Sequence, residues 1–170
     1  MPAWPFSKKP SAPQGPQLQD KALGELSQMF LNYPADPTPG SDDLDPTAFD
    51  FSIPSLKVLD EHLERMRSRK LSEKAWSIFV LRAGAYVGEV IRRNTPAPKE
   101  WHWLDYKQAA ALVPFVGSLG MSIGTAAVLW NGNQGVIFPC AKVGKFIQNG
   151  AEDSVFFYAQ VIIAGPPPTA

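Results

Sequence analysis

Apolar residues recur at helical spacing most clearly between Leu71 and Asn94, in LSEKAWSIFVLRAGAYVGEVIRRN. At 100° per residue Trp76, Phe79, Val80, Ala83, Val87, Val90 and Ile91 share one broad face, the core stripe of an amphipathic helix. Ser72 is a good N-cap, Glu73 puts an anion in the first turn, and Arg92, Arg93 and Asn94 suit the C-terminal end. Ile78, Leu81 and Ala85 form a smaller apolar patch on the opposite side, which predicts a central helix covered from more than one direction. Ser77, Gly84 and Gly88 line up beside the main face. Each glycine costs about 1 kcal/mol against alanine in a helix interior, so the stripe predicts a close backbone neighbour, assigned here to the preceding helix.

The same periodicity predicts a first helix over Gln17 to Tyr33, with Leu23, Leu26, Met29 and Phe30 inward, and a second over Ile53 to Ser68, with Leu56, Leu59, Leu63 and Met66 inward. Between them PADPTPGSDDLDP reads as an acidic, proline-rich linker over residues 34–48, solvated rather than calcium-binding because it lacks the glycine and closing glutamate of such a loop. The short connection from Arg69 to Leu71 predicts that the second helix packs antiparallel to the central one. Period-two alternation over Glu100 to Ala109 predicts a strand, an edge strand or one beside a groove because neither face is cleanly apolar. Gly117, Gly120 and Gly124 read as a flexible turn, since their spacing fits no phosphate-binding loop. The apolar runs Thr125 to Trp130 and Gly135 to Phe138 flank Asn131-Gly132, a hairpin signal. A short helix from Pro139 ends at Asn149-Gly150, and VFFYAQVII reads as a helix after Glu152, Asp153 and Ser154, although its β-branched residues also suit a strand.

These elements predict an α+β fold: an antiparallel helix pair on a small, mainly antiparallel sheet, with additional terminal helices. One domain spans residues 18–164, preceded by a disordered proline-rich arm over 1–17, in which Trp4 and Phe6 are apolar exceptions, and followed by a tail over 165–170.

AYVGEVIRRN, a Trp-containing strand after it, and then KVGKFIQNGAEDSVFFY resemble a family of small bacterial domains of unknown function that carry a Gly-Ala-Tyr-x-Gly-Glu-x-x-Arg-Arg type helix. The resemblance covers roughly Asp50 to Ile163. It implies an α+β domain and a bacterial source, and brings no activity, cofactor or catalytic residues with it.

Sixteen basic and sixteen acidic residues cancel in 170, which removes a global electrostatic argument for nucleic acid or an anionic membrane. No stretch reaches the ~20 apolar residues that span a bilayer, and the N-terminus has no apolar signal region, so a cytoplasmic location is predicted. Cys140 is the single cysteine. It reads as a small buried residue, with a Cys/His nucleophile using His62 or His102 as the weaker reading. Two histidines give no recognisable metal set, and no cofactor is implied.

The remaining chemistry lies on a polar stripe of the central helix, Arg82, Tyr86, Glu89 and Arg93, at spacings of four, three and four. It is either a structural ion-pair ladder or one wall of a groove whose other wall is the strand bearing Trp101 and Trp103. Arginine, tyrosine and tryptophan are the side chains on which binding sites concentrate their energy. The sequence therefore favours non-catalytic recognition of a protein partner or a small anionic ligand by Arg82, Tyr86, Glu89, Arg93, Trp101 and Trp103. A small hydrolase or transferase built on a Glu89/Asp105 carboxylate pair is a second reading, and a structural homodimer subunit a third.

Overall fold

The computed structural model describes residues 15–31 and 35–165; Trp4 and Phe6 lie outside them. The fold is α+β. Helix α3, Glu73–Asn94, is its axis. Ser72 caps it, accepting a hydrogen bond from the Ala75 N–H at 3.2 Å. From Phe79 to Ile91 nearly every residue is buried, on all sides of the helix.

Three helices run antiparallel to α3, as the order of their contacts requires. Helix α1, Asp20–Leu31, sets Asp20 near Arg92 and Phe30 against the Tyr86 and Phe79 rings. Helix α2, Ser55–Met66, sets Ser55 on Tyr86 and His62 on the Phe79 ring. Helix α6, Pro139–Asn149, sets Cys140 on Gly84 and Gly144 near Trp76. Helix α2 therefore runs antiparallel to α3 as predicted, but the two do not pack as a close pair. Helices α1 and α6 lie directly against α3, α2 packs closely on α6 and on the last helix instead, and the glycine stripe faces other neighbours. A Cβ on Gly84 would come within 2.7 Å of the Cys140 Cα, and one on Gly88 would strike the Trp103 ring. The close neighbours are α6 and the sheet, whereas α2 meets α3 through full-length side chains. Helix α7, Val155–Ala164, is capped by Ser154 and fastened to α2 by Asp60, whose carboxylate accepts from the Ser154 hydroxyl and the Val155 N–H.

The sheet is antiparallel in the order β1-β2-β3, with β1 at His102–Asp105, β2 at Ala127–Trp130 and β3 at Val136–Ile137. The hairpin around Asn131-Gly132 forms, Gly132 taking a positive φ of 80°. As predicted, β1 lies at an edge. The terminus of α1 closes that edge: the Gln19 N–H donates to the Trp103 carbonyl, and the Trp103 N–H donates to Asp20 Oδ1.

The strand is shorter than its alternation suggests. Asp105 accepts from the Gln108 N–H at 2.9 Å and so starts helix α4, Tyr106–Leu112, inside the predicted strand. Helix α5, Pro114–Leu119, takes in Gly117 because Pro114 supplies a helical φ at its first position, and the predicted turn follows it, from Gly120 at a positive φ of 74° through Gly124. The main core surrounds α3. A smaller cluster of Leu104, Ala109, Val113, Val116 and Val128 lies under α4 and α5.

Candidate functional site

The polar stripe of α3 is not one site: Arg82, Tyr86 and Glu89 each face different partners. Arg82 is nearly buried and reaches away from the sheet to the acidic loop, donating to Asp36 Oδ2 at 2.7 Å and to the Asp36 carbonyl at 3.1 Å. The loop is thus fastened rather than simply solvated: Arg69 holds Asp42 and Asp43, Arg65 holds Asp43, and a 3-10 turn at Pro46–Ala48 follows.

Tyr86 is buried among Phe30, Phe49 and Phe51. Its hydroxyl accepts from the Phe51 N–H at 3.1 Å and shares a hydrogen bond with Ser55 at 2.6 Å. Burial raises its pKa above the ordinary tyrosine value. Phe51 is held at a positive φ of 61° by this contact, by the Asn94 amide on its carbonyl, and by the Arg93 guanidinium 3.8 Å above its ring.

Glu89 is the organising group of the other end. Its carboxylate is only 1% exposed and accepts from Arg92 Nε at 2.8 Å, Trp103 Nε1 at 3.0 Å and Arg93 Nε at 3.0 Å. Burial pushes its pKa up, but the hydrogen bonds from Arg92, Trp103 and Arg93 outweigh burial and hold it below the ordinary glutamate value. Gly88 makes room for the Trp103 ring that brings the indole N–H to this carboxylate. Glu89 therefore stays ionised and structural.

The two acids of the predicted carboxylate pair are each engaged with other partners, Glu89 with Arg92, Arg93 and Trp103 and Asp105 with Gln108. Asp105 spends its oxygens on capping α4, and the Gln108 N–H lowers its pKa despite some opposing burial. Cys140 is buried and its thiol is pushed up to about 12 by desolvation, so it is no thiolate nucleophile. His62 is also buried. Its Nδ1 lies 3.5 Å from Asp43, its Nε2 has no hydrogen-bond partner, and desolvation lowers its pKa to about 4.

Of the six predicted binding residues, Trp101 alone borders an open cleft; Arg93 is partly exposed but lies over the Phe51 ring, and Arg82, Tyr86, Glu89 and Trp103 sit inside the fold. The cleft, of about 360 Å³, lies between the C-terminal end of α3 and the segment before β1, lined by Arg92, Thr95, Ala97, Lys99, Glu100, Trp101 and His102. A second cleft of about 350 Å³ lies on the other side of Lys99, Glu100, Trp101 and His102, toward Asn131 and Gly132. Arg92 is braced between Glu89 and Asp20, the latter at 3.6 Å. Asp20 Oδ2 also lies 2.9 Å from His102 Nδ1, and Glu100 lies 3.5 Å from His102 Nε2.

Asp20, Arg92, Lys99 and His102 were not among the predicted site residues. Arg92 follows Glu89 at the i+3 spacing that pairs side chains on a helix, so its role has a sequence signal. Asp20 has none, since it meets His102 across 82 positions. The chain matches no family model, no curated protein and no solved structure.

Proposed function

We propose that this chain is a non-catalytic recognition module that takes a small anionic ligand in the cleft between the end of α3 and residues 99–102. One observation carries the reading: Arg92, Lys99 and His102 converge with Trp101 on a single cleft, and the guanidinium of Arg92 is braced in advance by Glu89 and Asp20. A braced guanidinium loses little freedom on binding and offers more N–H donors than its two carboxylate contacts use. Trp101 adds a flat apolar wall on which a ligand body can rest. Glu100 also lines the cleft, so acetate is expected to bind at least as well as the more highly charged citrate and phosphate. The reading is in keeping with a small bacterial domain of the kind that the AYVGEVIRRN helix resembles.

The test is titration with acetate, citrate and inorganic phosphate, followed by tryptophan fluorescence and amide chemical shifts. Binding of one of these anions is expected to perturb Lys99, Trp101 and His102. Lys99→Ala and Trp101→Ala are expected to weaken it by about tenfold, equivalent to about 1.4 kcal/mol, with an unchanged unfolding midpoint for Lys99→Ala and a lowered one for Trp101→Ala, whose ring also packs on the main core. No response to any of the three at tens of millimolar would overturn the reading.

A further inference from the structure

Among the described residues, large hydrophobic side chains stand exposed at seven positions, and four of them fall on one stretch: Leu112 closing α4, Phe115 and Leu119 on α5, and Met121 just beyond. Phe115 is 60% exposed and Met121 72%. Phe115 and Leu119 are one helical turn apart and so share a side of α5. Scattered exposed hydrophobic residues are ordinary, but a local concentration marks a contact surface.

The setting of this stretch indicates what covers it. Helices α4 and α5 have seven and six residues, too short to persist without packing. On the inside they rest on a thin cluster of Leu104, Ala109, Val113, Val116 and Val128, set apart from the main core. Apolar residues on both sides of a short helical layer are what half of a hydrophobic core looks like, and permanent interfaces resemble a core cut in two. Charge then selects the other half. From Gln108 to Ala141 the chain carries no Asp, Glu, Lys, Arg or His. In a two-fold contact a surface meets itself, so any charge near the axis faces its own copy. A stretch without charge is free of that penalty, and it offers nothing to a strongly charged partner.

We propose that the α4–α5 face is the contact between two copies of this chain, with Phe115 and Leu119 near the two-fold axis. The proposal stands apart from the anion cleft and does not depend on it.

Sedimentation equilibrium of the full chain, from micromolar to hundreds of micromolar, is expected to show a reversible change from the mass of one chain to that of two. Phe115→Glu and Leu119→Lys are expected to stay at one chain throughout, with near-ultraviolet circular dichroism unchanged. Phe157→Glu, on the other exposed apolar helix α7, is expected to dimerise normally. A wild type that remains monomeric over the whole range overturns the proposal. So does a dimer that survives Phe115→Glu but is lost in Phe157→Glu, or a monomer that instead floats with phosphatidylcholine vesicles. Should the charged variants fail to fold, a spin label on exposed Ser118→Cys decides the matter, since Cys140 is buried and unreactive. Intermolecular dipolar broadening supports the dimer, and its absence at the highest concentration overturns it.

Discussion

Two ion clusters hang from helix α3, one at Arg82 and one at Glu89, and they differ in which partner is buried. At Arg82 the cation is sheltered, while its partner Asp36 sits on a loop with more than half of its side chain in water. At Glu89 the carboxylate is sheltered and Arg92 and Arg93 lie toward the surface. A loop carboxylate that loses its arginine is rehydrated at little cost, whereas a buried carboxylate site has no such relief. The first cluster is thus a tether that holds the acidic loop against α2 and α3. The second is a rigid post that fixes Trp103, Arg92 and hence one wall of the cleft lined by Lys99, Trp101 and His102.

The sharpest way to break this distinction is Glu89→Ala, which leaves the Trp103 indole N–H unpartnered and sets two arginines against each other. A loss of about 3–4 kcal/mol in chemical denaturation is expected. A loss under about 1 kcal/mol would mean that water replaces the carboxylate and that the post is not rigid.

The tether side has its own signature in acid. His62 has a folded pKa of about 4, below the ordinary 6.5, so the unfolded chain takes the proton first. Its contribution to stability is constant above pH 6.5, falls as the pH drops toward 4, and levels off below. At about 1.4 kcal/mol per pH unit the full effect is about 3 kcal/mol. Glu89 and Asp43 lose stability only at lower pH, since both titrate below their ordinary carboxylate values. Unfolding of the wild type and of His62→Phe between pH 7 and 4 checks this, because the variant should lack the first phase.

Gly84→Ala is expected to cost about 2 kcal/mol. Its new methyl would meet the backbone of Cys140, which cannot swing aside as a side chain can, and the strain exceeds the roughly 1 kcal/mol gained in helix propensity. Equal or raised melting temperature would show that α6 yields. Smallest of the four, Arg82→Gln should cost about 1 kcal/mol, with faster amide exchange confined to residues 36–45. Exchange that spreads through α3 would remove the contrast between tether and post.

Local periodicity made α3 legible from one cap to the other, along with the inward faces of α2 and α6; on α1 Leu23 and Phe30 face the core as expected, but Ser27 is buried there and Leu26 and Met29 are not part of it. The α+β class, the edge position of β1 and the hairpin at Asn131-Gly132 followed from the same patterns. Local rules could not say which neighbour each glycine admits. Gly84 and Gly88 announce close approach, yet Cys140 and Trp103 lie far along the chain. Asp105 misled for a different reason: alternation carries the eye past it, while its capping bond turns the chain into α4. The stripe of Arg82, Tyr86, Glu89 and Arg93 was correctly placed on one side of a helix, but only Glu89 and Arg93 act together. The other two answer to Asp36 and to Ser55 with Phe51, partners that spacing along α3 does not reveal. The cleft itself depends on Asp20 meeting His102, a long-range contact with no local trace.

The way α1 begins has a consequence for how this protein behaves in a crowded solution. A sheet edge with free N–H and C=O groups is a template on which further chains can add as strands, the first step toward fibrous aggregates. Here Gln19 and Asp20 occupy the donor and acceptor of Trp103 at the middle of β1, and the opposite edge, β3, is only two residues long. The start of α1 acts as a stopper on one side and brevity does so on the other. A chain rich in tryptophan and β-branched residues around its sheet thereby gives incoming strands almost nothing to pair with.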